Sequence, residues 1–161
     1  MSQSAPIQSV LFVCTGNTCR SPMAEGLLKS ALRDELDVQV GSAGVAAMPG
    51  QGASRETQNV LKANKARLEN FKSRQVDQAL LDDASLVVAM TEAHADLVKR
   101  FFPDCAGDVK LLCDFIDPDE GLAGVDVPDP IGMGRAAYEE VAEVIGMALP
   151  GIIAELSHTK S

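Results

Sequence analysis

Long apolar runs are missing from this chain. Nowhere do its 161 residues approach the roughly 20 consecutive apolar side chains that cross a bilayer as a helix. Met1–Ser9 carries no basic stretch and no long apolar core, so the start does not read as a secretory signal. The expected compartment is the cytoplasm, without membrane attachment. Basic residues are scarce too: 14 Lys and Arg against 23 Asp and Glu leave a net charge of −9. Such a chain has no long-range field for phosphate backbones, which argues against nucleic acid as a partner. Any phosphate it handles has to be held by a local pocket. Histidine is limited to His94 and His158, and Cys14, Cys19, Cys105 and Cys113 lack the paired spacing of a zinc site. Neither a metal nor another cofactor is expected. An even number of cysteines allows disulfides, yet a chain this long needs none to fold, and reduced thiols fit the cytoplasm. Rings are few, with no Trp, one Tyr and five Phe.

What is present is an alternation of short apolar runs and helical stripes. Gln8–Cys14 is a continuous apolar stretch, the pattern of a strand buried on both faces. Ser21-Pro22 then opens a helix, with Ser21 as its cap and Met23, Ala24, Leu27, Leu28, Ala31 and Leu32 as its stripe. Val38–Ala43 reads as a second strand, and Gly44–Ser54 as a loop rich in Gly, Ala and Pro. Helical spacing returns at Thr57, Val60, Leu61 and Leu68. Asp82-Asp83 reads as a solvated turn. Ser85–Thr91 is a third strand, and Thr91 caps a helix that stops at Pro103. Val109–Leu112 is a weak fourth strand. Asp114–Gly134, full of Asp, Pro and Gly, is a long loop of the kind that carries function. From Arg135 a long amphipathic helix follows, which Pro150-Gly151 should kink or interrupt. The order predicts an α/β fold: one three-layer domain over 1–161, a parallel sheet with helices on both faces, and Met1–Pro6 and Ser157–Ser161 as flexible ends.

Val13–Pro22 (V-C-T-G-N-T-C-R-S-P) lies between the first strand and the first helix. Backbone N–H groups of such a loop, with those of the helix start, make an anion cradle. Gly16 is expected to permit unusual backbone angles, and Asn17 to tolerate the left-handed region and brace the loop. Amides and Arg20 should favour the thiolate at Cys14, a nucleophile able to attack phosphorus and form phosphocysteine. The planar fork of Arg20 suits two phosphate oxygens at once. Thr15, Gly16, Asn17, Thr18, Cys19 and Ser21 complete the expected substrate-binding loop. A nucleotide-binding G-x4-G-K-[ST] loop is absent. A leaving group needs a proton, and Asp129, in V-P-D-P-I-G, is the candidate acid. Asp114, Asp117, Asp119 and Asp126 compete with it in the same loop. Taken alone, Cys14 also fits a buried core thiol, and Asp129 a solvated turn.

V-C-T-G-N-T-C-R-S-P-M-A-E, then S-A-G, A-M-T and D-P, resemble in that order the low-molecular-weight protein tyrosine phosphatases, over almost the whole chain. The resemblance implies a four-stranded parallel sheet, a phosphocysteine intermediate, no metal, and Ser21 bonded to the thiolate. Its products would be inorganic phosphate and a dephosphorylated protein, and the chain is expected to act as a monomer. Within the family the chain is most similar to the bacterial protein arginine phosphatases. Their loop carries threonine, here Thr18, where tyrosine phosphatases have a larger aliphatic residue. A smaller, hydroxyl-bearing side chain makes room for a planar guanidinium. The shortage of rings agrees, as do Ala46 and Ala47 after S-A-G. Ile131, where the arginine phosphatases usually show phenylalanine after D-P, departs from the pattern. The resemblance also implies that Cys19 forms a reversible disulfide with Cys14; Cys105 and Cys113 read as structural. His94 reads as a surface or packing residue.

Other readings stay open. Thr18 also fits drift within a phosphotyrosine enzyme. Thiol-linked arsenate reductase shares fold and loop, but needs a relay cysteine at the end of the third strand, where this chain has A-M-T. A phospho-ligand binding module needs neither nucleophile nor acid.

Overall fold

In the computed structural model, residues 8–33, 37–105 and 109–159 are described. Four strands, β1 (Gln8–Cys14), β2 (Val38–Gly44), β3 (Leu86–Ala89) and β4 (Val109–Leu111), form one parallel sheet in the order β2-β1-β3-β4. β1 sits inside, paired from Gln8↔Val38 to Cys14↔Gly44 on one side and from Val10↔Leu86 to Val13↔Ala89 on the other. Its alternating side chains serve two cores. Val10 and Phe12 pack with α1 (Arg20–Leu32), α2 (Arg55–Ala63) and α5 (Arg135–Thr159). Leu11 and Val13 pack with α3 (Gln78–Asp83) and α4 (Glu92–Phe101). The result is the expected three layers.

The chain leaves β1 toward β2 and later crosses back to β3, so the carboxyl end of β1 faces the crevice where such sheets hold ligands. The 45–54 connection folds over that end, with Val45 N–H on the Cys14 carbonyl and Ala46 N–H on the Thr15 carbonyl, each 2.9 Å.

Several boundaries differ from the sequence reading. α1 begins at Arg20 with Cys19 as its uncapped N-terminal residue, so Ser21 is not the cap. The Ser21 hydroxyl is engaged by Cys14 and Asn17 instead. α2 stops at Ala63, where the Asn64 amide donates to the Val60 carbonyl (2.8 Å) and Lys65 takes a φ of 57°. Leu68 reaches the core from beyond the helix. Asp82 and Asp83 are exposed, as expected, but close the short helix α3, which is capped by Asp77 through Leu80 N–H (2.8 Å). Thr91 caps α4 by accepting from His94 N–H (3.1 Å). The Asp114–Gly134 loop holds one short 3-10 turn, Pro118–Glu120, and the end of another, Leu112–Phe115. α5 continues through Pro150 to Thr159, taking in the first residues of the expected tail. Pro150 and Gly146 both face solvent, where the carbonyl freed by the missing N–H can turn to water. Met1–Pro6 lies outside the described residues.

Candidate active site

The loop after β1 is built around Asn17, which is buried and holds the left-handed backbone (φ 57°) expected of it, whereas Gly16 has no positive φ. A Cβ on Gly16 would meet only Thr18 Oγ1 at 3.8 Å, an ordinary contact. Asn17 Oδ1 accepts from Arg74 N–H at 2.9 Å, which fixes the orientation of the amide. Its Nδ2 therefore gives one proton to Ser21 Oγ and one to Ser42 Oγ, each at 2.9 Å. Ser42 passes its own proton to Glu25 Oε1 at 2.6 Å, and Lys29 Nζ pairs with Glu25 Oε2 at 2.9 Å.

This ledger decides what Ser21 does. Its oxygen accepts from Asn17, so its hydroxyl proton is left for Cys14 Sγ, 2.9 Å away. Cys14 itself is buried at the foot of the loop. Among the described residues, the backbone N–H groups of Thr15 through Cys19 make no hydrogen bond to protein. The loop that follows the thiol thus offers five donors and an uncapped helix start.

Arg20 is buried, its Nη1 donating to the Val127 carbonyl at 2.9 Å. That bond draws in the long loop, which is also tied by Val127 N–H to the Met90 carbonyl (2.9 Å) and by Asp126 Oδ1 to Glu92 N–H (2.8 Å). Asp129 follows directly. Its Oδ2 lies 3.8 Å from Arg20 Nη2, its Oδ1 accepts from Ile131 N–H at 3.0 Å, and half of its side chain is exposed. Of its rivals, Asp114 accepts from Gly124 N–H, Asp117 from Asp119 N–H and Asp126 from Glu92 N–H. Asp129 is the acid placed beside Arg20.

Thr18 gives its carbonyl to Ser54 N–H at 2.8 Å, while its hydroxyl makes only a 3.8 Å approach to Cys19 Sγ. Cys19 is buried, with its sulfur 3.3 Å from the Tyr138 hydroxyl. Burial and this bond push the Tyr138 phenol up. Cys14 and Cys19 thus each hold a hydroxyl partner of their own, and all four thiols are unpaired. Cys105 and Cys113 are buried in cores on opposite faces of the sheet. Burial first, then Asp114 and Asp126, push the Cys113 thiol up, which makes it a poor nucleophile. An arsenate-reducing cysteine relay finds no such arrangement here. Among the described residues no group of three His, Cys, Asp or Glu is placed to hold a metal ion, and no helix is long and apolar enough to cross a membrane.

The model of the low molecular weight phosphotyrosine protein phosphatases matches residues 9–161. The chain belongs to that family. With the low molecular weight phosphatases it is a protein phosphatase, one of a family of metal-independent hydrolases that work through phosphocysteine. It is 39% identical to a protein-arginine-phosphatase of Geobacillus stearothermophilus over 140 residues, covering 84% of this chain and 90% of that one. To a low molecular weight protein-tyrosine-phosphatase of Streptomyces coelicolor it is 36% identical over 151 residues, covering 90% and 91%. Among solved structures it superposes with a TM-score of 0.84 on the YwlE arginine phosphatase, a cysteine-to-serine mutant with a phosphorylated active site serine. The identity there is 34%, over 93% of this chain and 96% of that one.

Within this low molecular weight phosphatase, the sequence does not reveal the roles of five residues of the site. Ser42, Glu25 and Arg74 brace Asn17; Glu25 and Ser42 stand inside the M-A-E and S-A-G motifs, but nothing local shows that they meet, and Arg74 carries no motif at all. Gly44 begins the expected loop. It is the last residue of β2, and a Cβ there would strike the Thr15 carbonyl, with Asn17 N and Ala47 Cβ at 3.0 Å. His94 was read as a packing or surface residue. It is buried, and its Nε2 lies 2.8 Å from Thr15 Oγ1. Burial, then the Arg20 charge, lower its pKa to about 4. At neutral pH it is an uncharged imidazole holding the first residue after the nucleophile.

Proposed function

We propose that the protein removes phosphate from phosphorylated arginine side chains of other proteins, with Cys14 as nucleophile, Arg20 as phosphate clamp and Asp129 as acid. The observation that carries this reading is the loop itself: a buried thiol with a committed hydroxyl donor, beneath five unspent backbone N–H groups. Cys14 sulfur attacks phosphorus, and the bond from phosphorus to the guanidine nitrogen breaks. That nitrogen keeps the electron pair and takes a proton from Asp129. The Asp129 carboxylate then takes a proton from water, whose oxygen attacks phosphocysteine. Inorganic phosphate leaves, and the sulfur regains its charge under the Ser21 hydroxyl. Loop amides and the Arg20 fork hold the three equatorial oxygens through both steps. That a cysteine-to-serine YwlE carries phosphate on its active site serine supports a covalent intermediate here.

Phosphoarginine is favoured by Thr18, whose hydroxyl has no partner closer than Cys19 Sγ at 3.8 Å and so remains uncommitted. The Geobacillus arginine phosphatase, similar over most of both chains, supports it. The residues flanking the loop agree: Val45–Ser54 and Asp129–Gly134 contain no aromatic ring. Phosphotyrosine is the second reading, favoured by the similarity to the Streptomyces enzyme. The test is a rate comparison on one peptide phosphorylated on arginine or on tyrosine, with Thr18→Ile in parallel. Preference for phosphoarginine that Thr18→Ile erodes is the expected result; preference for phosphotyrosine replaces the first reading by the second. Turnover surviving in Cys14→Ser would overturn the covalent route.

Cys19 is read as the resolving thiol of a reversible Cys14–Cys19 disulfide, which protects the nucleophile from further oxidation. Inactivation by peroxide should be reversed by dithiothreitol in the native protein and become irreversible in Cys19→Ser. Such a thiol pair suits the reducing cytoplasm.

A further inference from the structure

Charge is distributed unevenly around the loop. Between Arg55 and Arg74 stand six of the fourteen basic residues of the chain and only two acids, a local net of +4 in a chain of −9. Between Asp114 and Asp129 stand six acids and no base. Both segments flank the phosphate loop. The basic one is bonded to it through Ser54 N–H on the Thr18 carbonyl, Thr57 Oγ1 on the Cys19 carbonyl and Arg74 N–H on Asn17. Alongside α2 the basic segment forms a cavity of about 740 Å³, with Lys62, Lys65 and Arg67 at its edge and Leu61, Leu68 and Phe71 among its lining. Lys62 and Lys65 are exposed, and neither ammonium is paired among the described residues. Arg67 pairs with Glu69 at 2.9 Å in full solvent exposure.

We propose that this cavity docks an acidic segment of the phosphorylated protein, its carboxylates on Lys62 and Lys65 and an apolar side chain against Leu68 and Phe71. The proposal rests on the phosphatase reading of the loop. Charge names the occupant: unpaired cations beside apolar surface suit an acidic polypeptide, and the acid-rich 114–129 segment repels it, which orients it. Helix geometry sets the spacing. Lys62 lies about 7.5 Å along α2 from Thr57, which touches the loop. An extended polypeptide covers that distance plus side-chain reach in about three to six residues.

The test compares one phosphopeptide carrying Glu three to six residues from the phosphorylated side chain with its Gln counterpart, at low salt. An aryl phosphate serves as the small substrate. The native protein should favour the Glu peptide by about threefold to tenfold in kcat/KM, as two exposed ion pairs allow. Lys62→Glu with Lys65→Glu should abolish or reverse that preference while leaving aryl phosphate turnover within about twofold, and Lys62→Ala with Lys65→Ala should abolish it. Equal rates on both peptides, or a preference that survives both double variants, overturn the docking site. Loss of aryl phosphate turnover in the native protein would count against the phosphatase reading instead. Docking is then read by fluorescence anisotropy of the two peptides on Cys14→Ser, where equal affinity overturns it.

Discussion

Asp129 shares its loop with five other acids, and its place beside Arg20 separates it from them. Asp114, Asp117 and Asp126 each spend an oxygen on a backbone N–H that shapes the loop or starts α4. Asp129 also accepts one such bond, from Ile131, but keeps Oδ2 toward Arg20 with half its side chain open to solvent. Asp129→Asn preserves the Oδ1 bond and removes the transferable proton. It should lower kcat by about 10²- to 10⁴-fold. The loss should grow as the leaving group becomes poorer, which a series of aryl phosphates of rising phenol pKa measures. Asp126→Ala takes a different course: it should lower stability by about 1 kcal/mol and leave the leaving-group dependence unchanged. If Asp126→Ala or Asp119→Ala shows the leaving-group signature instead, the acid is misassigned.

At the scale of elements, the loop is shaped by what β2 allows. Gly44 closes β2 against the Thr15 carbonyl so tightly that a methyl group has no room. The obstacle is backbone, so it cannot swing aside. Gly44→Ala should therefore displace the loop, cost about 1–3 kcal/mol in urea unfolding and remove most of the turnover. Gly16→Ala, with only Thr18 Oγ1 at 3.8 Å to meet, should change stability by less than about 0.5 kcal/mol. The sequence offers both Gly16 and Asn17 for unusual backbone angles, and Asn17 alone takes the left-handed region. Much else was legible. β1 and the start of α5 were read at their observed bounds, and the Thr91 cap was read from its spacing, because apolar runs and caps are local signals. Arg20 and Asp129, far apart in the chain, stand 3.8 Å from one another. Hidden from the sequence were α3, too short to show a period, and the Glu25–Ser42–Asn17–Arg74 bracing. Its members meet only because β1, α1, β2 and the 64–76 segment pack together.

At the scale of the whole molecule, acid should weaken the fold through a residue that touches the site. His94 sits buried in the first turn of α4 against Thr15, and its surroundings hold its pKa at about 4 against 6.5 for a free histidine. Desolvation and the Arg20 charge oppose its protonation, and Asp126 and Asp129 only partly offset them. Between those two values the unfolded chain binds the extra proton and the folded chain does not. Stability is therefore lost as pH falls from about 6.5 to about 4. Carboxylates titrate over part of the same range, so the native curve alone does not isolate the histidine. His94→Gln does, because a glutamine amide can still bond Thr15 but cannot take a proton, while the carboxylates stay. Urea midpoints measured across pH 4–7 should fall less steeply in His94→Gln than in the native protein, with the two curves parallel above pH 7. A variant that falls just as steeply would show that His94 is protonated in the folded protein at ordinary acidity. Its imidazolium would then add positive charge beside Arg20, and the phosphate cradle would carry a second pH-dependent cation.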